Sequence, residues 1–176
     1  MKVINLTASE LMLAAHLSGL IRGVKQVQHS RGDVNNRRVA DYDDFGLHYL
    51  GMLGEMAVAR VLGVPVREDV TRYGDGMVDT EFRGETIQVK TSSHAALNRK
   101  RLVFFNSMDE FRARWLIACS IQSPSSVAIH GFISRQKFDR MKFPHDFGYG
   151  PRVCVDEESL APIDKLDTAI PVREIA

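Results

Sequence analysis

The segment from Gly51 to Gly63, GMLGEMAVARVLG, is apolar nearly all round a helical wheel. A helix without a polar face has to be buried, so the rest of the chain must supply layers that cover it. This helix is read from Asp43 or Asp44 to Leu62, with Gly63 where glycine commonly ends helices. Gly51 and Gly54 each cost about 1 kcal/mol inside a helix relative to alanine. Their presence predicts that something, such as another backbone, packs very close there. One acid, Glu55, interrupts the apolar surface. An unpaired buried carboxylate is expensive, so Glu55 needs a partner. Arg60, an arginine of the preceding loop, a metal ion and Lys90 are the candidates.

Downstream, Tyr73 to Ser93 (YGDGMVDTEFRGETIQVKTSS) alternates apolar and polar residues on either side of Arg83-Gly84. That is the pattern of two half-buried strands joined by a turn. With Arg83 and Gly84 as the central turn residues, facing positions sum to 167. Val78 is then expected opposite Val89, and Asp79 opposite Gln88, with Lys90 on the same polar face. A carboxylate, an amide and an ammonium would share one patch, although a solvated hairpin would show such groups too. Oxygen donors without His or Cys suit Mg²⁺ or Mn²⁺ better than zinc. A lysine beside them can orient water for in-line attack on a phosphodiester.

With 176 residues and a formal net charge of +1, the chain is expected to be one domain with no global field toward nucleic acid or membrane. Phosphate contacts would come from local clusters, namely Arg37 and Arg38 in HSRGDVNNRR and the run Arg99, Lys100, Arg101. Cys119 and Cys154 lack metal-type spacing, which fits a reducing, cytoplasmic compartment. Glu10 and His16 interrupt the apolar N-terminal stretch, so no signal peptide is expected, and no apolar run is long enough to span a membrane. Thr7-Ala8-Ser9-Glu10 is a capping box opening an outer helix to about Gly23.

After the hairpin, strands are expected at 102–105, 115–121 and 127–133, with a short helix over 108–114. The last two strands are apolar enough for a central sheet covered on both faces. Ser134 caps a helix to about Met141. The tail from 142 to 176 reads as irregular, with a strand at 152–155 and with Leu160 and Ile163 tucked against the core. Trp115 is assigned to the core, His94 to a solvated loop, and residues 64–71 to a connection or edge strand. Ser107 and Ser120 have no His-Asp arrangement near them in sequence, so no acyl-transfer triad is expected.

Glu55 within GEMAVARVLG, Asp79 within GMVDTEF and Gln88-Val89-Lys90 within IQVKTS together resemble the PD-(D/E)XK nuclease superfamily, over about Asp44 to Ile133. The resemblance implies an α/β fold with a restriction-endonuclease-like αβββαβ core. A mixed central sheet would be flanked by helices over about 44–141, with an added N-terminal helix at 7–23. It further implies Mg²⁺ or Mn²⁺ held by Glu55, Asp79, Gln88 and the Val89 carbonyl, with Lys90 as the catalytic lysine. DNA would be cut to a 5′-phosphate and 3′-hydroxyl, with RNA left open, and a homodimer would let two sites cut both strands. Gln88 stands where the family usually has an acid. Q-x-K versions occur among active members, and weaker metal binding is implied. Asp75 is a lesser candidate ligand. The alternative is a non-catalytic relative that binds nucleic acid or a protein partner, or a structural domain of a larger assembly.

Overall fold

The computed structural model describes residues 1–29, 44–67, 78–93, 101–105, 107–146 and 151–171. A five-stranded mixed sheet has the order β1 (Lys2–Asn5), β6 (Ser126–Ser134), β5 (Trp115–Ser123), β3 (Glu85–Ser92), β2 (Thr80–Phe82). Only β3 and β5 run parallel, and every other neighbouring pair is antiparallel. A second sheet joins β4 (Arg101–Phe105), β8 (Pro151–Asp156) and β7 (Phe143–Asp146). The helices are α1 (Ala8–His29), α2 (Asp44–Leu62), α3 (Arg135–Met141) and α4 (Leu166–Ala169).

Successive strand residues point to opposite faces, and the central sheet uses both. Ile87 and Val89 of β3 join Ile117 and Cys119 of β5 and Met52, Leu53 and Met56 of α2 in one core. Leu116 and Ala118, the alternate β5 residues, face a second core with Phe105, Phe111 and Phe138. There Phe105 and Phe111 stack at 5.2 Å, and Phe138 meets both edge-on at 5.4 and 5.3 Å. The expectation of a doubly covered central sheet therefore holds.

The hairpin register holds for the three pairs next to the turn, but not for Val78 opposite Val89: Val78 packs on the second core and Val89 in the first. Thr80 pairs with Ile87, Glu81 with Thr86 and Phe82 with Glu85, each pair summing to 167. Arg83 and Gly84 have φ of 53° and 76°, the two positive values that suit a tight hairpin turn to the twist of its strands. The capping box is also present. The Glu10 carboxylate accepts the Thr7 N–H at 2.6 Å, and the Thr7 hydroxyl accepts the Glu10 N–H at 3.3 Å. Arg60 of α2 forks onto the same carboxylate and donates to the Asn5 carbonyl at 2.6 Å. Arg60 thus ties the two helices together and is not the partner proposed for Glu55.

Several expectations need correction. β1 was not anticipated, and α1 continues to His29 beyond Gly23, with Ala14 and Ser18 wholly buried. Residues 64–67 form a connection, one of the two forms expected, and 68–71 lie outside the described residues. The helix expected over 108–114 is a single 3-10 turn, Met108–Glu110. The strand at Arg101–Phe105 leaves the central sheet and pairs with β8 from the tail. Hydrophobic pattern specifies that a strand exists but not which edge it joins. The described strands therefore do not form the αβββαβ order within one sheet. The described tail residues, 142–146 and 151–171, contribute β7, β8, α4 and an Ala161–Phe132 bridge to β6.

Of the α2 glycines, Gly51 and Gly54 separate cleanly. A Cβ on Gly54 would lie 1.9 Å from the Thr91 Oγ1 of β3, whereas one on Gly51 would meet nothing within 4 Å. Gly54→Ala should destabilise the protein by about 1–3 kcal/mol through overpacking. Gly51→Ala should stabilise it by about 0.5–1 kcal/mol through helix propensity. Urea unfolding of each variant checks this, and adding Thr91→Ala should recover much of the Gly54→Ala loss.

A pH effect also follows. Burial pushes the Glu10 carboxyl up, but the Thr7 N–H and hydroxyl and the Arg60 guanidinium outweigh it, so the folded-state value lies below the ordinary one. A depressed carboxylate contributes stability above its unfolded value and loses it as pH falls through the folded value. Glu10→Gln should therefore cost about 1 kcal/mol at neutral pH, with the gap closing below about pH 4. Urea midpoints measured across that range test the sign.

Candidate functional site

Gly54 brings α2 directly onto β3, and the next residue, Glu55, consequently lies at the β3 edge. Glu55, Asp79, Thr80 and Val89 line one narrow cleft with Ala59 and Arg67. The edge is exposed to this cleft because the β2 ladder pairs only Glu85 to Ile87 of β3. Asp79 does not take the place opposite Gln88 that the register extrapolates to. Its N–H bonds the carbonyl of Ile87, already the partner of Thr80, at 3.0 Å. The ladder slips by one residue there, and the Asp79 carboxylate receives the Val89 N–H at 2.5 Å in place of a backbone carbonyl. The N–H and C=O of a strand residue point to the same side, so the Val89 carbonyl faces this edge as well.

Gln88 and Lys90 lie elsewhere. Parallel pairing sets Gln88 beside Leu116 and Lys90 beside Ala118, which places both on the face opposite α2. Gln88 is 4% exposed and donates from Nε2 to the Glu110 carbonyl at 3.2 Å, and its Oε1 is buried without a partner. The Lys90 Nζ sits 4.8 Å from the centroid of the Phe105 ring, a cation–π distance. The four side chains expected on one patch are thus divided: Glu55 and Asp79 on the helix side of the edge, Gln88 and Lys90 on the other.

The donor set in the cleft suits a hard divalent cation, which commonly takes one or two carboxylates and keeps several waters. Glu55, Asp79 and the Val89 carbonyl are of that chemistry, and Gln88 stands outside it. The cleft holds about 200 Å³ of empty space, none of it wide enough for water. A hydrated ion would enter only if the cleft widened. Arg67, absent from the sequence reading, bonds the Val78 carbonyl at 2.8 Å and brings a positive charge to the two acids. Among the described residues no group of three or more His, Cys, Asp or Glu side chains could hold a metal.

A second arrangement went unread because its members are far apart in sequence. The Ser120 hydroxyl lies 2.8 Å from His130 Nε2, and His130 Nδ1 lies 2.9 Å from the Glu157 carboxylate. The expectation that Ser120 has no such partners is overturned. The atom order is that of a nucleophile–base–carboxylate triad. Ser120 is nevertheless 0% exposed and also accepts a hydrogen bond from Gln122 at 2.9 Å. No substrate carbonyl can approach it, so the chain of bonds satisfies buried polar groups. Trp115 packs edge-on against Phe132 at 5.6 Å, in keeping with a core role. Arg37, Arg38, Asp75, His94, Arg99 and Lys100 lie outside the described residues, and Arg101 opens β4.

No family model, curated protein or solved structure matches the chain. Among the described residues no helix is long and apolar enough to cross a membrane.

Position 88 offers a direct test of this geometry. A glutamate there would be buried against the Glu110 carbonyl, and burial would raise its pKa. In EDTA at about pH 7.5, Gln88→Glu should lose about 1–3 kcal/mol. The loss should shrink toward about pH 4 as the acid protonates. Selective stabilisation of this variant by Mn²⁺ would instead place residue 88 among the metal ligands.

Proposed function

We propose that the chain is a metal-dependent nuclease that hydrolyses DNA phosphodiesters. The observation that carries the reading is the meeting of Glu55 and Asp79 with the Val89 edge of β3, one residue before Lys90. Glu55 and Asp79 would hold Mg²⁺ or Mn²⁺, with the Val89 carbonyl as a third oxygen donor. When bound, the ion would supply charge neutralisation for the phosphoryl group. Asp79 also fixes the strand end through the Val89 N–H. Lys90, beyond the end of the β2 ladder, can swing from the Phe105 ring round the uncovered edge to orient a water or bind a phosphate oxygen. The resemblance to the PD-(D/E)XK superfamily through Glu55, Asp79 and Gln88-Val89-Lys90 supports the same chemistry, with two oxygen-bearing side chains in place of three. A homodimer cutting both strands in a reducing, cytoplasmic compartment would be compatible with it.

A specific observation favours a second reading. Gln88 and one oxygen of Asp79 are already committed to the protein's own backbone, as they would be in a non-catalytic nuclease-like module that binds nucleic acid or a protein.

Plasmid cleavage under Mg²⁺ and Mn²⁺ separates the two. The nuclease reading expects metal-dependent nicking that falls by about a hundredfold or more in Asp79→Asn and Lys90→Ala, with circular dichroism unchanged. It also expects a calorimetric Mn²⁺ site lost in Glu55→Gln. Absence of any cleavage together with absence of a Mn²⁺ site would decide for the module.

A further inference from the structure

The described surface carries a second concentration of function-capable groups, about 870 Å³ in volume, between the first residues of β3 and β5 and the start of α3. Arg112, Arg114 and Arg135 line it together with Thr86, Ser134 and Gln136. These are side-chain types that hold nucleic-acid phosphates, arginine by forked donation and the hydroxyls and amide by single bonds. Two acids temper this charge: Glu85 pairs with Arg114 at 3.1 Å, and Asp139, which lines the groove, is bonded to Lys142 and lies within electrostatic reach of Arg135. Arg112 donates from Nε to the Asp109 carbonyl at 3.3 Å, which orients the side chain while leaving its charge unneutralised by that bond. In a chain of net charge +1, so many arginines around one groove make a local positive field.

We infer that this groove binds the phosphodiester backbone of a nucleic-acid strand through Arg112, Arg114 and Arg135. Its size favours a strand over a single phosphate, because 870 Å³ is toward the upper end of small-molecule pocket volumes. The inference goes beyond the proposed chemistry, since the groove would bind whether or not the protein cuts.

The test uses the full chain in EDTA, so that cleavage plays no part. Fluorescence anisotropy with a labelled single-stranded oligonucleotide should show binding that weakens with salt. Arg112→Gln combined with Arg135→Gln should weaken it about tenfold and flatten the log K against log salt slope by about 2. Both side chains are exposed, and an unchanged melting temperature would confirm that folding is intact. Inorganic tripolyphosphate should compete only weakly. Equal affinity and slope in the double variant would overturn the proposal, as would a wild-type protein that binds no oligonucleotide at low salt. Tripolyphosphate binding as tight as the oligonucleotide would assign the groove to a small phosphate ligand instead. Loss of groove binding with retained plasmid nicking, or the reverse, separates the failure of this inference from failure of the nuclease reading.

Discussion

The contact between Gly54 and Thr91 sets the distance between α2 and the central sheet, and much else depends on that distance. Any side chain at 54 would collide with the Thr91 hydroxyl, so the helix would ride higher on the strand. Glu55 is the next residue along the helix, and its carboxylate would then retreat from Asp79 and Val89. Helix propensity and packing oppose one another here. The glycine costs about 1 kcal/mol as a helix residue, and the close packing of Leu53, Met56, Ala57 and Val58 into the core offsets it. The Thr91 Oγ1 is buried without a hydrogen-bond partner, a further cost tolerated at the same contact.

A second constraint acts at the β3 edge. β2 is short, and its register slips at Asp79, so the backbone ladder ends before Val89. A buried N–H without an acceptor is expensive, and the Asp79 carboxylate removes that cost. Asp79 therefore has a structural task that any catalytic task must share. A carboxylate has two oxygens and several lone pairs, so holding the Val89 N–H with one oxygen does not exhaust its capacity to accept. The two tasks are compatible, and the edge stays open because a side chain closes it in place of another strand.

Local features were legible in the sequence to the extent that they are local. The capping box, the Arg83-Gly84 turn with its register and the buried stretch of α2 each depend on residues within a few positions, and each is present. The closeness of Gly54 was readable, but the same reasoning misjudged Gly51, because propensity alone does not tell which face of a helix meets a neighbour. Partners brought together by topology were not legible. β4 pairs with β8 across some fifty residues, His130 links Ser120 to Glu157, and Arg60 selects Glu10 over its own helix neighbour Glu55. Alternation placed Gln88 and Lys90 correctly on one face, but it could not reveal that Phe105, Phe111 and Phe138 cover that face.

That covering explains the residue at 88 better than a loss of chemistry does. The Glu110 carbonyl sits over β3 at that point, and the Gln88 amide donates to it without burying a charge. A carboxylate would set oxygen against the Glu110 carbonyl oxygen in a buried position. Glutamine is therefore what the buried position calls for, whatever happens at the neighbouring edge. The consequence for the candidate site is specific. Its oxygen donors come from Glu55, Asp79 and the backbone of Val89, with Arg67 lining the same cleft and bonded to the Val78 carbonyl.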